Sequence, residues 1–432
     1  MTLRISRPAV ASTVGTALEW YDFSLYGSAA AVVLPHVFFP AGDPVIATLS
    51  SLATFAVGFF ARPVGGVIIG VLGDRVGRRA MLFVTLLVMA ASSTAIGLLP
   101  DYATIGVAAP VLLVVLRVVQ GLGAGGEYAG ALLMSAEHAE TRARGLNASL
   151  PTLGNAMGSL VATGMLALVS ATMSAGQLLT WGWRIPFLLS VLVGVAGVLI
   201  RLRVPDSPEF RAAVGERRVS RAPLRDLFTT ARHKIVPGML ISFAPNVISY
   251  LPSVYALTYL ARNVGAPSWV GLLGVVIANA CKFVTVPTAG WLCDRFGRRP
   301  VMATGAIAAA VLFYPFFAML DTGTPVVVWA AFVLVFAVCN DLTLASQATM
   351  LSELFDVEHR YTGVTFSREI VGAVVGGCIP FVAAWLDVWS GGRIWPVVVV
   401  SAVLSLVSAV GAKLVPEPEH VRAARADATA RT

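Results

Sequence analysis

The sequence predicts an all-α integral membrane protein with twelve transmembrane helices in two six-helix halves and both termini in the cytoplasm. Three observations predict this fold class: an apolar composition, apolar segments of membrane-spanning length, and an uneven distribution of positive charge. Of the 432 residues, 57% are hydrophobic and only 12% are charged, whereas a soluble domain carries about 25% charged residues. The mean hydropathy of +0.80 agrees with a chain that resides mainly in lipid.

Twelve apolar segments are each long enough for a helix to cross the hydrocarbon core, which takes about 20 residues. They cover residues 12–38, 48–72, 81–99, 105–136, 147–172, 184–203, 235–262, 268–293, 300–320, 325–352, 362–388 and 393–415. We therefore predict an N-terminal half at 1–203, a cytoplasmic linker at 204–233, a C-terminal half at 234–415 and a cytoplasmic tail at 416–432.

The net charge of +8 is explained by topology. Most of the 31 Lys and Arg residues lie in the tails and in the loops that follow even-numbered spans, and the linker holds the largest group. Positively charged loops stay in the cytoplasm, so these loops and both termini are predicted to be cytoplasmic. The expected contacts of this charge are anionic lipids of the bilayer, and no nucleic-acid partner is expected.

Several classes of function are disfavoured by what the sequence lacks. No P-loop or other nucleotide motif occurs, and no nucleophile, base and orienting group stand in a recognisable spacing. We therefore expect no enzymatic activity, no catalytic residues, no cofactor and no metal site. The four cysteines, Cys281, Cys293, Cys339 and Cys378, lie within or at the ends of spans and are expected to be free packing residues. The first apolar segment is too long, and too charged at Glu19 and Asp22, for a cleavable signal peptide.

Two decapeptides indicate an internal duplication. Residues 70–79 (GVLGDRVGRR) follow span 2, residues 290–299 (GWLCDRFGRR) follow span 8, and both fit G-x-x-x-D-R-x-G-R-R. Their equivalent positions in the two halves predict a duplicated architecture with a central pathway between the halves.

With these decapeptides, the chain resembles the major facilitator superfamily. Within it, residues 17–23 (ALEWYDF), 61–63 (ARP) with 65–66 (GG), 117–127 (RVVQGLGAGGE) and 183–187 (WRIPF) resemble the metabolite:proton symporter family. That family includes carriers for shikimate, 2-oxoglutarate, citrate, aromatic acids, and zwitterions such as proline and betaine. The resemblance covers the chain except its tails. It implies a multi-pass carrier of the bacterial inner membrane that works by alternating access, and we expect it to act as a monomer.

Charged residues inside the spans mark the predicted pathway, because each costs about 2.5–3.5 kcal/mol at the centre of a membrane helix. The acids are Glu19, Asp22, Glu127, Asp341 and Glu369, and the bases are Arg62, Arg117, Lys282 and Arg368. With this near balance, an anion that enters together with one proton leaves the site close to neutral. The alternative is that these charges form purely structural buried ion pairs.

Span 1 supplies the predicted proton site. Glu19, Asp22 and Tyr26 share one helical face, and two ionised carboxylates would repel each other there, so one of them is a candidate for reversible protonation. The resemblance implies that an acid of span 1 acts against an arginine of span 4, here Asp22 and Arg117. The candidate proton-coupling residues are Asp22, Arg117, Glu19 and Glu127. Alternatively, Glu19 and Asp22 only neutralise arginines, and Glu127 is either a second titrating group or a fixed partner of Arg62.

The substrate site is predicted from polar residues of both halves. A guanidinium or ammonium group suits a carboxylate, and hydroxyls and amides suit its other oxygens. The predicted substrate-binding residues are Tyr26, Arg62, Arg117, Gln120, Asn246, Tyr250, Asn279, Lys282, Asp341 and Arg368. Pro245 and Pro252 in span 7 predict an interrupted helix of the kind that carriers place near a substrate. For Arg62, the role of a structural partner to an acid of span 1 is equally compatible with the sequence.

The decapeptides are predicted to form a cytoplasmic latch and not to bind substrate. Their acids lie near helix ends beside arginines, and these contacts must break for the inside to open. The predicted gating residues are Asp74, Arg75, Arg78, Asp294, Arg295 and Arg298.

Together these features predict proton-coupled symport of a small organic acid. The alternatives are a proton-coupled carrier of a zwitterionic osmolyte and an exporter of a small metabolite. The short tail without a heptad repeat differs from that of some osmosensing members and disfavours the osmolyte. Short tails also disfavour a nontransporting sensor.

Overall fold

Helices make up all the regular secondary structure in the part of the chain that the computed structural model describes, residues 7–39, 42–76, 78–125, 144–203, 227–229, 231–355 and 360–416. The first six long helices are α1 (Arg7–Val32), α2 (Pro44–Val76), α3 (Arg78–Leu98), α4 (Ala108–Ala124), α5 (Arg144–Thr172) and α6 (Arg184–Arg203). Each begins or ends within a few residues of a predicted span, except that the predicted fourth span continues beyond the described end of α4.

The second six are α7 (Arg232–Val264), α8 (Ser268–Phe296), α9 (Arg298–Asp321), α10 (Pro325–Leu354), α11 (Arg360–Val371, Gly372–Gly377 and Ile379–Trp389) and α12 (Trp395–Leu414). The fold class predicted from the sequence, a twelve-helix membrane protein, is confirmed. Of the described helices, eight are long and apolar enough to span a membrane, and the bent pair Ala175–Gly182 and Arg184–Gly197 makes a ninth. The other three, α1, α3 and α4, are shorter or more polar and pack in the same bundle.

Helix α7 is interrupted, as its prolines predict. The chain makes a turn at Ile241 and Ser242, and Leu251–Tyr255 is π-helical. Helix α10 also contains a π-helical segment, Val333–Cys339, immediately before Asn340. Such irregular turns are frequent at functional sites, and these two lie beside the cavity described below.

The two halves meet through a few long helix contacts. Helix α5 packs along α8, and α2 packs against all three segments of α11. Further contacts join Asn340–Leu354 of α10 to α5, and α1 to Leu251–Tyr255 of α7. Polar groups buried between such helices need partners, and the ion pairs of Arg62 with Glu19 and Glu369 lie at this interface.

Gly121 of α4 and Gly125 directly after it allow close approach to α2. A Cβ atom added to Gly121 would lie 2.8 Å from the Cβ atom of Ala61, and one added to Gly125 would lie 2.9 Å from the carbonyl carbon of Gly65. Real Cβ atoms essentially never approach so closely, so backbone stands against backbone at both positions.

The substitution Gly125→Ala is expected to lower stability, because the added methyl group meets the backbone of α2. Overpacking of this kind typically costs about 1–3 kcal/mol. The matched control is Gly176→Ala, where nothing lies within 4 Å of the added Cβ atom. Melting temperatures in detergent compare the two variants, and equal values would contradict the close contact of α2 and α4.

All four cysteines are free, as predicted. Most of the predicted linker, residues 204–226 and 230, lies outside the described residues, as do residues 417–432 of the tail. The domain boundaries therefore remain predictions.

Candidate functional site

A small cavity of ≈30 Å³ lies between the two halves. Helices α1, α2 and α5 of the first half and α7, α8 and α10 of the second half form its wall. The lining residues are Trp20, Phe23, Ser24, Gly27, Ser28, Phe55, Asn155, Ser159, Thr163, Ser249, Tyr250, Ser253, Val254, Val275, Asn279, Lys282 and Phe336. Pockets that enclose small molecules measure about 300–1,000 Å³, so the cavity would have to widen, by movement of the two halves, to enclose a metabolite.

Lys282 is the only charged side chain on the cavity wall among the residues that the structure describes. It lies at the middle of α8 and is 2% exposed. Its Nζ lies 3.8 Å from the ring centroid of Phe336 and 4.0 Å from Oδ1 of Asp341. The structure thus brings together two of the predicted substrate residues, with Lys282 on the wall and Asp341 behind it.

Neutral polar groups surround Lys282. Asn279 donates from Nδ2 to the carbonyl oxygen of Val275 over 2.9 Å, while its buried Oδ1 accepts no hydrogen bond from the described residues. From the opposite half, α5 presents Asn155, Ser159 and Thr163. These groups offer both donors and acceptors to a ligand that carries oxygens.

Aromatic rings form the apolar side of the cavity. Tyr250 stacks on Trp20 with ring centroids 6.5 Å apart and planes inclined by 16°, and Phe55 meets Tyr250 edge-on at 5.8 Å. Such rings suit the carbon skeleton of a ligand. Asn246, predicted in the same set, instead donates to the carbonyl oxygen of Ser242 over 2.8 Å and is not among the lining residues.

Arg117 is fully buried and lies away from the cavity wall. Its guanidinium carbon stands 3.8 Å from the ring centroid of Tyr26, its Nη1 donates to Oε1 of Gln120, and its Nη2 donates to the carbonyl oxygen of Phe55 over 3.3 Å. Gly58 of α2 provides the space that the guanidinium occupies. Arg117, Tyr26 and Gln120 are therefore brought together by the structure, but behind the aromatic wall.

Asp22 is connected to this arginine through neutral groups. Gln120 donates from Nε2 to the hydroxyl of Ser93 over 2.7 Å, and Ser93 lies within side-chain hydrogen-bonding reach of the Asp22 carboxyl. Ser190 of α6 donates to Oδ1 of Asp22 over 2.7 Å. Polar contacts therefore lead from Arg117 through Gln120 and Ser93 to Asp22, all within the first half.

Arg62 belongs to a charge cluster that joins the halves. Its Nη2 lies 3.1 Å from Oε1 of Glu19 in α1, and its Nε lies 2.8 Å from Oε2 of Glu369 in α11. Arg368 adds a contact of 2.9 Å from Nη1 to the other Glu369 oxygen. These contacts support the structural role that the sequence left open for Arg62 and Glu19. Glu127, the other predicted partner, lies outside the described residues.

The second decapeptide makes a contact that the sequence did not predict. Arg298 lies 3.6 Å from Asp294, but also 3.1 Å from Oε1 of Glu353 at the end of α10. Arg295 instead stands over the ring of Trp291 at 5.2 Å. The side chains of Asp74, Arg75 and Arg78 in the first decapeptide are outside the part of the structure that is described.

Several residues of the cavity wall and of the Asp22 contacts were missed by sequence reasoning, although one group had a recognisable pattern in the sequence. Asn155, Ser159 and Thr163 recur every four residues on α5, which places them on one helical face. Ser93 and Ser190 gave no such signal, because a single serine in an apolar helix more often bonds to its own backbone.

Family models match both halves of the chain. The description "Sugar (and other) transporter" matches residues 9–231, and "Major Facilitator Superfamily" matches residues 239–431. The chain belongs to the major facilitator superfamily. The family predicted from the decapeptides and span motifs is thus confirmed.

Curated relatives place this superfamily member among metabolite transporters of bacterial inner membranes. It is 41% identical over 387 residues to the inner membrane metabolite transport protein YhjE of Escherichia coli (strain K12), covering 88% of this chain and 87% of the relative. It is 34% identical to the shikimate transporter of the same organism, covering 96% of both chains. With the proline/betaine transporter it shares 32% identity, over 95% of this chain and 84% of the relative.

A solved structure supports the same fold. The D-xylose-proton symporter superposes with a TM-score of 0.74 at 20% sequence identity, covering 95% of this chain and 97% of the other. This superfamily member is accordingly a multi-pass metabolite transporter of the bacterial inner membrane and not an enzyme, as predicted.

Proposed function

We propose that this superfamily member carries a small organic acid together with a proton by alternating access. The observation that carries the proposal is the position of Lys282 on the wall of the interface cavity, where it is the only charged lining side chain of the described residues. A carboxylate that enters the cavity gains a cation in a medium of low dielectric constant, where an unpaired charge is costly.

The remaining wall suits the rest of such a molecule. Asn279 offers an unused carbonyl oxygen, and Asn155, Ser159 and Thr163 face it from α5. Trp20 and Tyr250 offer ring faces to the carbon skeleton. The relative named for shikimate, which is a hydroxylated carboxylate, agrees with this combination.

For the proton, the proposal follows the sequence prediction at Asp22. This carboxyl is 3% exposed and is hydrogen-bonded to Ser190. The contacts through Ser93 and Gln120 give Arg117 a way to respond to a change of charge at Asp22. We propose that Asp22 and Arg117 control reorientation of the carrier, with Glu19 held in the Arg62 cluster. Glu127 remains an untested second site.

The gate is proposed to include both decapeptides and Glu353. Arg298 contacts Glu353 over 3.1 Å between α9 and α10, and we propose that this contact within the second half fixes the arginine of the second decapeptide beside the gate. The proposal keeps the predicted division into halves at 1–203 and 234–415, joined by the linker 204–233, because the two halves must rock against each other around the cavity.

A zwitterionic substrate is the second candidate. Lys282 on the cavity wall could contact the carboxylate of a zwitterion, and Asp341 behind it, 4.0 Å from Lys282, adds a negative charge that favours the cationic group through space. The relative named for proline and betaine is the comparison that favours it.

A melting-temperature screen of the purified protein separates the two substrate classes. Shikimate, 2-oxoglutarate, citrate, proline and betaine are each added in excess, because a ligand that binds only the folded state stabilises it by about 2.7 kcal/mol at 100 times its Kd. We expect at least one acid to raise the melting temperature. A rise with proline or betaine, and none with the acids, would favour the second candidate.

A further inference from the structure

Lys282 stands between two groups that can serve as its counter-ion. One is Asp341, which is fully buried, and the other is whatever anion occupies the cavity that Lys282 lines. Because both lie on different sides of the same ammonium group, the occupancy of the cavity and the charge of Asp341 cannot be independent.

The contact between Lys282 and Asp341 is long at the carboxylate oxygen nearest to the ammonium group. Oδ1 of Asp341 lies 4.0 Å from Nζ, which is beyond hydrogen-bond distance, and it accepts no hydrogen bond from the described residues. Oδ2 accepts one from the hydroxyl of Thr285. Asp341 therefore depends mainly on the nearby charge of Lys282 to remain ionised.

An anion in the cavity would weaken that support. When its carboxylate contacts Lys282, the ammonium is shared or drawn toward the cavity, and Asp341 becomes a buried carboxylate with a single hydroxyl donor. An uncompensated buried charge is strongly destabilising. Binding a proton at Oδ1 removes the charge without moving the helix.

Among the residues that the structure describes, Asp341 has few groups that could compensate its charge. Among the described residues, the charge that acts on Asp341 is that of Lys282 in α8, and its side-chain hydrogen-bond donor is Thr285. Tyr250 of α7 is the other titratable group on the cavity wall, and α5 contributes only neutral side chains there. No arginine or second lysine of the described elements is thus available to replace Lys282.

We propose that Asp341 takes up a proton when an organic anion binds to Lys282, so that the substrate site itself links the anion to a proton. This proposal rests on the proposed function. For a monocarboxylate, the charge of the site stays at zero throughout: Lys282 neutralises Asp341 in the empty carrier, and it neutralises the substrate carboxylate once a solvent proton has bonded to Oδ1 of Asp341. Asp22 then acts in reorientation, a step separate from binding.

Isothermal titration calorimetry in buffers of different ionisation enthalpy counts the protons bound with the ligand. The probe is whichever of shikimate, 2-oxoglutarate and citrate raises the melting temperature most. We expect wild-type protein to take up about one proton per acid at neutral pH and Asp341→Asn to take up none. The matched control is Asp321→Asn at the end of α9, where the carboxylate accepts a hydrogen bond from Tyr259 of α7. This variant should behave as wild type. Unchanged proton uptake in Asp341→Asn would overturn the proposal.

Infrared difference spectra of the wild-type protein test the same step if Asp341→Asn does not fold. Addition of the acid should produce a new carboxylic-acid C=O band of the protein, and a spectrum without one would overturn the proposal. Failure of the proposed function looks different, because then none of the acids binds or is taken up at all. If Asp22→Asn abolishes the proton uptake and Asp341→Asn preserves it, symport stands but the link at Asp341 does not.

Discussion

The substitution Lys282→Gln is expected to abolish binding of the acid. Lys282 is the only charged side chain among the described residues of the cavity wall, and glutamine keeps a similar length without the charge. Removing one member of a buried charge pair typically costs about 2–5 kcal/mol, which corresponds to a rise in Kd of roughly 30- to 4,000-fold. The variant also leaves Asp341 without its neighbouring cation. The carboxylate of Asp341 must then be neutralised by a proton.

The measurement is the Kd for the acid identified in the melting-temperature screen. Lys413→Gln, in the last turn of α12, is the matched control and should bind the acid as wild type does. A Kd for Lys282→Gln within about threefold of the wild-type value, which is less than 1 kcal/mol, would remove Lys282 from the substrate site.

The substitution Asp22→Asn is expected to abolish pH-driven accumulation while sparing counterflow. Asparagine keeps an oxygen that can accept the hydrogen bond from Ser190, but it cannot take up or release a proton. The loaded carrier can still exchange substrate across the membrane, whereas reorientation of the empty carrier, which we propose needs a proton to bind and leave at Asp22, is blocked, so no net cycle runs.

Proteoliposomes loaded with unlabelled acid measure counterflow, and empty ones with an inward proton gradient measure accumulation. Asp43→Asn is the control, because that carboxylate is exposed and accepts a hydrogen bond from the N–H group of Val45. Normal accumulation by Asp22→Asn would exclude Asp22 from the proton step.

Hydropathy and charge bias predicted the helices well because the bilayer constrains both. A span must hide its backbone polar groups and use about 20 apolar residues, whatever its neighbours are. Pro245 and Pro252 likewise act locally, so the interruption of α7 could be predicted.

The composition of the cavity wall was harder to predict, because helical periodicity shows which residues share a face but not which face meets the cavity. Tyr26 and Arg117 are polar residues within predicted spans and were therefore predicted to bind substrate. In the structure they pack against each other behind Phe55. Arg62 meets Glu369, a residue 307 positions away, and a pairing of that kind depends on how the two halves dock.

The most direct test of the central claim is uptake of the identified acid into proteoliposomes that contain the purified wild-type protein. Uptake should exceed equilibration when an inward proton gradient is imposed, and a protonophore should reduce it to equilibration. Accumulation that is the same with and without the gradient would contradict proton-coupled symport.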